Sequence, residues 1–532
     1  MDRNLLSLLL PSNRDYKSYV KYRRYYNEID NSGLFNHDFY NEMYEDVSGD
    51  ALTHYLVKGY KEGKLPSLDF DPDFYQKAYP DVKQADLNPL FHYVVYGKSE
   101  GKFIQQSYSI RRKNEICETN LAFLSNYEFD TEPLVSIIIL NKDGMNHLKR
   151  LFKDFDAKTN YSNYEIIVVD NASVDESVNY LKSLDLPITI IENDINVSFS
   201  KGNNDAAKIA NGEYLLLLNN DIEPTYGWLN ELVGTIVYNE DVASVGAKLV
   251  FPFYFNANRD QSYEIQHSGD IFAERMYPCC LYAVNKSDSR LNLFDSSLTR
   301  NNQCVAVTGA VNLIDRKVYD ELSGLDEEYF YGLEDVDFCL KLHKKGYKVL
   351  FAGNALLFHH ESSTRVKSES YFENDKRNYS IFWNKWGQYL SRCLLLDKIN
   401  SRKFFTEKNL KITIIDSKNE EDKELIHEIS KKFNDLDYTV ELISDLENYY
   451  IGNSTDILLS FNDDYDLNNM IARKDIVKVI VNNHNLKTDN YDICVSLNEI
   501  KSDCKNNIII KDDFANEFLD NLEKILIDGY EF

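Results

Sequence analysis

The chain has 532 residues, of which 43% are hydrophobic, and this length predicts roughly three or four domains. Asp and Glu outnumber Lys and Arg by 86 to 59, and the resulting formal charge of −27 excludes generic nucleic-acid binding because it repels phosphate. The eight cysteines lack metal-finger spacing and predict reduced thiols. No apolar run approaches the about 18 residues of a membrane span, so we expect a cytoplasmic protein, soluble or held at the inner face of a membrane.

A two-copy repeat is the first pattern along the chain. Residues 35–66 begin with FNHDFYNEMYEDV, and residues 70–102 begin with FDPDFYQKAYPDV. Aromatic residues three to five apart predict short amphipathic helices, each closed by a glycine. The recurring His54 and His92 are interpreted as packed histidines beside tyrosines, in preference to metal ligands. The preceding basic, aromatic stretch YKSYVKYRRYY predicts a solvated helix and leaves open contact with an anionic membrane surface.

From about residue 133, short apolar runs alternate with helical stretches. The predicted strands are VSIIIL (135–140), YEIIVVD (164–170), ITIIEN (188–193) and YLLLLNND (214–221), with helices near 145–156, 175–184 and 202–210. This alternation predicts a parallel α/β sheet covered on both faces. Ligands of such sheets bind outside the carboxyl ends of the strands.

Polar clusters follow three of these strands, which favours a site over three separate turns. They are Asn141-Lys142-Asp143, Asp170-Asn171-Ala172-Ser173 and Asn219-Asn220-Asp221.

A second group of polar residues lies downstream, between residues 304 and 365. The run VAVTGA predicts a strand ending in small residues, and LEDVDFCLKL places Glu334 and Asp335 at the start of a helix. The strand KVLFAGNALLF then ends at His359-His360. With Asp221 this gives a carboxylate and a histidine for a divalent cation, and a further carboxylate for base catalysis.

After about residue 400 a second, smaller α/β layer is predicted. Its strands are LKITIID, YTVELI, DILLSF, VKVIVNN and YDICVSL. The acidic stretch FNDDYD (461–466) is interpreted as a solvated loop in preference to a cation site.

The ordered series VSIIILN, IIVVDNAS, NVSFSKGNNDAAKIANGEYLLLLNND, VTGAVNLIDRKVYDELSGLDEEYF, LEDVDFCLKL and LFHHES resembles the inverting glycosyltransferases of family two. The resemblance implies an α/β chain with a GT-A, nucleotide-sugar-binding Rossmann-like domain at 130–398, similar to rhamnosyltransferases of cell-surface polysaccharide synthesis. The helical repeat then belongs to an accessory region, 1–125. Residues 405–532 form an α/β accessory domain that resembles half of a GT-B fold.

Carried over position by position, the resemblance implies specific roles. Asp221 and His359 hold Mn²⁺ or Mg²⁺ on the donor diphosphate, with His360 as the alternative histidine. Asp335 is the catalytic base, and Glu334 is grouped with it. The expected substrate-binding residues are Asn141, Asp170, Asn203, Asn219, Asn220 and Gly309. Asn219 departs from the family pattern, which has an acid at that position.

The predicted function is metal-dependent, inverting transfer of a sugar from a nucleotide sugar to a growing cell-surface glycan or lipid-linked glycan. A weakly active scaffold of a polysaccharide assembly complex remains the alternative. A nucleotidyltransferase ranks lower, since NKDGMNHLKR supplies only one glycine to the loop after the first strand. Peripheral membrane association and homo-oligomers formed through the terminal modules stay open.

Overall fold

The computed structural model describes residues 16–528, apart from 45, 48, 86, 101–103, 105–107, 253–262, 276–279, 286–290, 361–368, 418, 444–454, 462–475, 483–490, 498–505 and 512. Buried side chains form separate apolar cores in an amino-terminal helical region, a central α/β region and a carboxyl-terminal α/β region. The domain boundaries given above stay a prediction. In the part of the chain that the structure describes, no helix combines the length and apolar character needed to cross a bilayer.

The amino-terminal region contains α1 (Tyr16–Asp30) followed by two copies of short helices. The helices are α2 (His37–Met43) and α3 (Ala51–His54) in the first copy, and α4 (Pro72–Ala78), α5 (Pro80–Gln84) and α6 (Pro89–His92) in the second. Both α3 and α6 continue into a π-helical turn, Tyr55–Gly59 or Tyr93–Gly97. The prediction of short helices is therefore confirmed, and the predicted closing glycine ends the last helix of each copy but not α2, α4 or α5.

Each copy is held by a contact between a tyrosine, a histidine and a glycine. In the first copy, Oη of Tyr40 lies 3.0 Å from Nδ1 of His54. A Cβ atom on Gly59 would come 1.9 Å from the same tyrosine oxygen, so a larger residue would displace a fully buried ring. The interpretation of these histidines as packed side chains is confirmed. The second copy repeats the arrangement with Tyr75, His92 and Gly97.

Ten strands of the central region form one sheet, and two more form a hairpin. The sheet strands are β1 (Val135–Asn141), β2 (Tyr164–Asn171), β3 (Ile188–Asn193), β4 (Tyr214–Asn219), β5 (Ile222–Pro224), β6 (Val242–Val250), β7 (Ile265–His267), β10 (Asn302–Gln303), β11 (Val311–Asp315) and β12 (Lys348–His359). The hairpin pairs β8 (Asp270–Arg275) with β9 (Cys280–Asn285). The main order is β10-β12-β6-β11-β4-β1-β2-β3, with β5 beside β12 and β7 beside β6.

The sheet is mixed, so the prediction of a parallel sheet holds for β1 to β4 and for the pair of β6 and β12, but not for the other strands. Strands β1 to β4 pair in parallel, as expected from their alternation with helices. Strand β11 inserts between β4 and β6 and runs antiparallel to both. The short strands β5 and β7 are also antiparallel to their neighbours.

The prediction of a strand at VAVTGA is wrong, because the strand begins only at Val311. The backbone amides of Thr308 and Gly309, just before it, bond side chains instead of a neighbouring strand. The N–H of Thr308 donates to Nε2 of His267 at 3.3 Å, and the N–H of Gly309 donates to Oδ2 of Asp335 at 2.7 Å. The apolar run is thus a turn that carries polar contacts.

Helices cover both faces of the sheet. They are α7 (Tyr108–Leu121), α8 (Met145–Leu151), α9 (Phe155–Thr159), α10 (Ser177–Lys182), α11 (Phe199–Ile209), α12 (Trp228–Val237), α13 (Arg316–Glu321), α14 (Glu334–Lys344) and α15 (Glu369–Ile399). The single helix predicted at 145–156 is two helices, because Asp154 adopts a left-handed φ of 55°. Alternate residues of β1 enter opposite cores, with Ile138 on one face and Ile137 and Ile139 on the other.

Lys248 on β6 is a buried cation that should make stability depend on pH. Its ammonium donates to the carbonyls of Leu293 and Leu298 at 2.9 and 3.2 Å, and burial lowers its pKa to about 7. Between pH 7 and 9 the unfolded chain keeps a proton that the folded chain has released, so this lysine makes stability rise with pH. We expect Lys248→Met to reduce the increase in unfolding free energy between pH 7 and pH 9 by up to about 2 kcal/mol. The measurement is the free energy of unfolding at both pH values. The exposed control Lys208→Met should leave that increase unchanged, and a Lys248→Met rise equal to wild type would contradict the prediction.

The carboxyl-terminal region has six parallel strands in the order β14-β13-β15-β16-β17-β18. They are β13 (Lys411–Ile415), β14 (Thr439–Ile443), β15 (Ile457–Ser460), β16 (Val477–Asn482), β17 (Ile493–Ser496) and β18 (Asn507–Ile509), with helices α16 (Glu420–Asp435) and α17 (Phe514–Ile527). Lys398 at the end of α15 bonds the buried Asp456 at 2.5 Å and joins this sheet to the central region. Apart from Phe461, the predicted acidic loop at 461–466 lies outside the described residues.

Candidate functional site

The polar ends of β1 and β2 form one hydrogen-bonded network. The side-chain amide of Asn141 donates to Oδ1 of Asp170 at 3.0 Å and to Oγ of Ser173 at 3.2 Å. The amide of Asn220, after β4, donates to Oδ1 of Asn141 at 2.9 Å. A Cβ atom on Gly144 would lie 2.2 Å from that same oxygen, so the glycine allows the network to close. Three predicted strand ends therefore meet.

Asp221 lies beside His359, where β5 pairs with the end of β12. Nε2 of His359 is 3.1 Å from Oδ1 of Asp221, and both residues are at least nine-tenths buried. Burial acts to raise the pKa of Asp221, but the hydrogen bond and charge of His359 outweigh it and lower the pKa. The carboxylate is therefore ionised at neutral pH and suited to a cation.

The donor atoms of this pair fit a divalent cation. Two adjacent ligands at about 2.1 Å from one ion are separated by about 3 Å, which matches the observed spacing of the oxygen and the nitrogen. Nδ1 of His359 lies 2.9 Å from Oε1 of Gln266, which orients the ring. Among the described residues, no three or more His, Cys, Asp or Glu side chains are grouped to hold a metal.

His360 contacts a different carboxylate. Its Nε2 lies 3.6 Å from Oε2 of Glu223, whose other oxygen pairs with the ammonium of Lys113. Burial acts to raise the pKa of Glu223, but His360 and Lys113 lower it to about 2. Burial lowers the pKa of His360 to about 4, so its ring is neutral at pH 7. Of the two adjacent histidines, the structure brings the side chain of His359 to Asp221.

Asp335 lies in the first turn of α14, against the turn that precedes β11. Its Oδ2 accepts the N–H of Gly309 at 2.7 Å, and its Oδ1 accepts the N–H of Val336 at 2.8 Å. Burial raises the pKa of Asp335, and the charge of Asp270 adds to this effect. A carboxylate with a raised pKa is a stronger general base. Glu334, the preceding acid, is 6% exposed.

The base and the cation-binding pair are joined through neighbouring backbone. The carbonyl of Ala310, next to Gly309, accepts the N–H of Asn219 at 2.9 Å. Asn219 is half-buried and stands two residues before Asp221. The end of β4 and the start of β11 therefore bring the predicted base and the predicted cation ligands into one region.

Asn203 lies on α11 and does not join the Asn141 network. Its amide donates to the carbonyl of Phe199 at 2.9 Å, one turn earlier, and its buried Oδ1 accepts no hydrogen bond within the described part of the chain. The ring of Phe199 is the nearest group to a Cβ built on Gly309, at 3.2 Å. It also meets Tyr331 edge-on, with 6.4 Å between ring centroids. The helix thus contributes an aromatic ring to the surroundings of Gly309.

The model of the family described as Glycosyl transferase family 2 matches residues 136–322. These residues form a family 2 glycosyltransferase domain. The match contains the strand-end network, Asp221 and Gly309, and it ends before α14 and β12.

Two curated relatives match about the same share of the chain. The uncharacterized protein y4gI of Sinorhizobium fredii is 32% identical over 247 residues, which are 44% of this chain and 25% of the relative. The O-antigen biosynthesis protein RfbC of Myxococcus xanthus is 32% identical over 241 residues, 44% of this chain and 18% of the relative. The chain thus spans a quarter or less of these relatives.

Two solved structures match about half of the chain. GalNAc-T7 with UDP, GalNAc and Mn²⁺ covers 50% of this chain and 51% of its own, at 19% identity and a TM-score of 0.39. The mannosyltransferase PcManGT of Pyrobaculum calidifontis, with GDP-Man and Mn²⁺, covers 48% and 66%, at 14% identity and a TM-score of 0.31. The match to family 2 confirms two predictions for the central region, the family and the α/β GT-A fold.

The sequence predictions missed three residues that lie near the predicted base, Asp335, or the predicted metal-binding histidine, His359. Gln266 contacts His359, His267 accepts the N–H of Thr308, and Asp270 lies 3.5 Å from His267. The stretch QHSGD carries the only signal, a histidine and an acid flanking a glycine. Gly269 has a φ of 90°, and a Cβ there would lie 2.7 Å from that of Cys304.

A buried carboxylate on α14, Asp337, ties the helix of the predicted base to α15. Asp337 is fully buried and accepts from Nε1 of Trp386 at 2.7 Å and the hydroxyl of Tyr329 at 3.2 Å, beside the ammonium of Lys385 at 2.7 Å. Removing one member of a buried ion pair costs about 3–5 kcal/mol. We expect Asp337→Ala to lower the free energy of unfolding by that amount in urea titrations followed by tryptophan fluorescence.

The control for this prediction is Asp320→Ala on α13, which removes an exposed pair with Arg316. That change should cost less than about 1 kcal/mol. Equal losses in the two variants would contradict a structural role for the buried carboxylate.

Proposed function

We propose that this chain transfers a sugar, with inversion, from a nucleoside-diphosphate sugar to a hydroxyl group of a cell-surface glycan, with the help of a divalent cation. The observation that carries the proposal is that a cation-binding group and a base lie in one region, where β4 ends and β11 begins. An ionised Asp221 beside the imidazole of His359 suits a cation, and a carboxylate with a raised pKa, Asp335, suits a base.

The donor would lie over the carboxyl ends of β1, β2 and β4. Asn141 and Asp170 offer amide and carboxylate groups to the nucleoside, and Asn220 fixes the orientation of Asn141. Asp221 and His359 would hold Mn²⁺ or Mg²⁺, which neutralises charge on the diphosphate when bound. Asn219 would bond the ribose or a water molecule, since a neutral amide is a weaker metal ligand than a carboxylate.

The chemistry of the chain's own residues centres on Asp335. Its carboxylate takes the proton of an acceptor hydroxyl while that oxygen forms a bond to the anomeric carbon. The bond from the same carbon to the diphosphate breaks, and its electron pair leaves with the diphosphate. A single displacement from the opposite face inverts the configuration. Gly309 leaves space for the reacting sugar and fixes the carboxylate through its N–H.

A glycan acceptor is supported by two observations. Phe330 and Tyr331 are 45% and 41% exposed, a few residues before Asp335, and such rings stack on the apolar faces of sugars. The relative from Myxococcus xanthus is named for O-antigen biosynthesis. Association with a membrane surface would bring the chain to a lipid-linked acceptor.

Calorimetry on the full chain tests this function. UDP, GDP and dTDP are each titrated into the chain, first with MnCl₂ present and then with EDTA in its place. A panel of nucleotide sugars is also screened for release of nucleoside diphosphate. We expect one nucleotide to bind only with the cation and its sugar form to be hydrolysed slowly. A chain that binds none of them is a scaffold, and the proposal fails.

A further inference from the structure

A three-residue strand, β7, runs between the proposed cation site and the proposed base. It pairs antiparallel with β6, with His267 opposite Leu249 and Ile265 opposite Val250. Successive side chains of a strand point to opposite faces, so Gln266 and His267 face different surroundings. Each of the two makes a contact that leads to one of the proposed chemical groups.

Gln266 leads to the cation site. Its Oε1 lies 2.9 Å from Nδ1 of His359 and accepts the proton of that nitrogen. With Nδ1 donating to Gln266, the lone pair that His359 can offer to a bound cation is that of Nε2, the atom that lies 3.1 Å from Asp221. A histidine can bind a cation only through such a lone pair, so the glutamine selects the useful tautomer.

His267 leads to the base. Its Nε2 accepts the N–H groups of Gly269 and Thr308, each at 3.3 Å, so this nitrogen carries no proton. The other ring nitrogen, Nδ1, faces Oδ1 of Asp270 at 3.5 Å. Two backbone donors, the buried Gly269 and the half-buried Thr308, depend on one imidazole that is itself 5% exposed.

The turn that His267 holds is the one that holds Asp335. Thr308 is followed by Gly309, whose N–H donates to the carboxylate at 2.7 Å. The backbone of Asp270 adds a second constraint, since its N–H donates to the carbonyl of Ala306 at 2.9 Å. Contacts from β7 and from the start of β8 thus fix the direction of the Gly309 N–H.

We propose that Gln266 and His267 are positioning residues with separate tasks: Gln266 sets the tautomer of His359 for the cation, and His267 fixes the turn whose Gly309 N–H orients Asp335. This inference rests on the proposed function. The two tasks are carried by adjacent residues of one strand, so a general loosening of the strand would disturb both.

Four substitutions separate the tasks. Gln266→Met keeps the length of the side chain and removes the acceptor, while Gln266→Glu keeps an acceptor oxygen. His267→Leu removes the acceptor, while His267→Gln places an oxygen near the position of Nε2. Each purified full-length variant is examined for its melting temperature, for Mn²⁺ affinity with the best-binding nucleoside diphosphate, and for the pH profile of kcat/KM.

Gln266→Met should weaken Mn²⁺ binding by about 10–100-fold, as loss of an outer-shell partner does, with the acid limb of the pH profile in place. His267→Leu should leave Mn²⁺ affinity unchanged, lower kcat, and move the acid limb to higher pH. The limb moves because the Gly309 N–H, which lowers the pKa of Asp335, is no longer fixed. Asp270 on β8, His267 on β7 and Cys339 on α14 are the other titratable groups facing this carboxylate.

The conservative variants Gln266→Glu and His267→Gln should restore the property lost in their partners, and failure to do so overturns the acceptor argument. The proposal is also overturned if both removals weaken Mn²⁺ binding and shift the pH profile alike, or if neither has an effect. If the wild-type chain binds no Mn²⁺ with UDP, GDP or dTDP, the proposed function falls first, and the inference with it. Wild-type binding with an unaltered Gln266→Met affinity removes the inference alone.

Discussion

Asp335→Asn is expected to lower kcat of sugar transfer by about 10²–10⁴-fold, the usual contribution of a general base. The amide keeps the size of the side chain and one oxygen for the Gly309 N–H, so α14 and its turn should stay in place. It cannot accept the hydroxyl proton at neutral pH. The measurement is initial rates of nucleoside-diphosphate release with acceptor present, alongside donor binding by calorimetry, which should be unchanged.

The pH profile of the wild-type chain gives an independent check of the same residue. The base must be ionised, so activity is lost as the pH falls through its pKa. Burial raises that pKa, and we therefore expect the acid limb of kcat/KM above about pH 4, the ordinary value for aspartate. Near wild-type turnover in Asp335→Asn would show that another group accepts the proton. Asp320→Asn, an exposed change on α13, serves as the control.

His359→Gln and His360→Gln form a matched pair with the second large expected effect. Loss of an outer-shell partner can weaken metal binding by about 100-fold. His359→Gln removes a proposed ligand itself, so we expect it to weaken Mn²⁺-dependent nucleotide binding by at least that factor. His360→Gln should change it little, since that ring contacts Glu223 and only its backbone N–H reaches Asp221.

Titration of MnCl₂ into each variant with nucleotide present provides the measurement. Excess Mn²⁺ should partly restore the activity of His359→Gln and should not restore Asp335→Asn. A larger loss in His360→Gln than in His359→Gln would reverse the assignment of the two histidines.

Local patterns were sufficient for the parts of the fold that depend on neighbouring residues. The apolar runs of β1 to β4 and the acids that open α14 are each visible within a few residues, and the end of β12 at His359 is as well. The strand-end rule predicts that Asn141, Asp170 and Asn220 lie together, and hydrogen bonds join them in one network.

The errors come from pairings between distant residues. Residues 305–310 have the composition of a strand, but the amides of Thr308 and Gly309 bond the side chains of His267 and Asp335, which are 41 and 26 positions away in the sequence. The antiparallel insertion of β11 has no local signature either, because the alternation of apolar residues does not encode direction. Gln266 and His267 lie on a strand of three residues, too short for any periodicity to show.

The position of β11 has a consequence for how the chain folds as it is synthesised. Strand β4 ends at residue 219, but its partner on one side, β11, is complete only at residue 315. Until then the apolar β4 presents an unpaired edge, of the kind that invites association between chains. Because β11 also pairs with β6, its arrival closes two gaps in one step. Fragments that end before residue 311 should therefore aggregate, while a fragment ending after α13 can complete this part of the sheet.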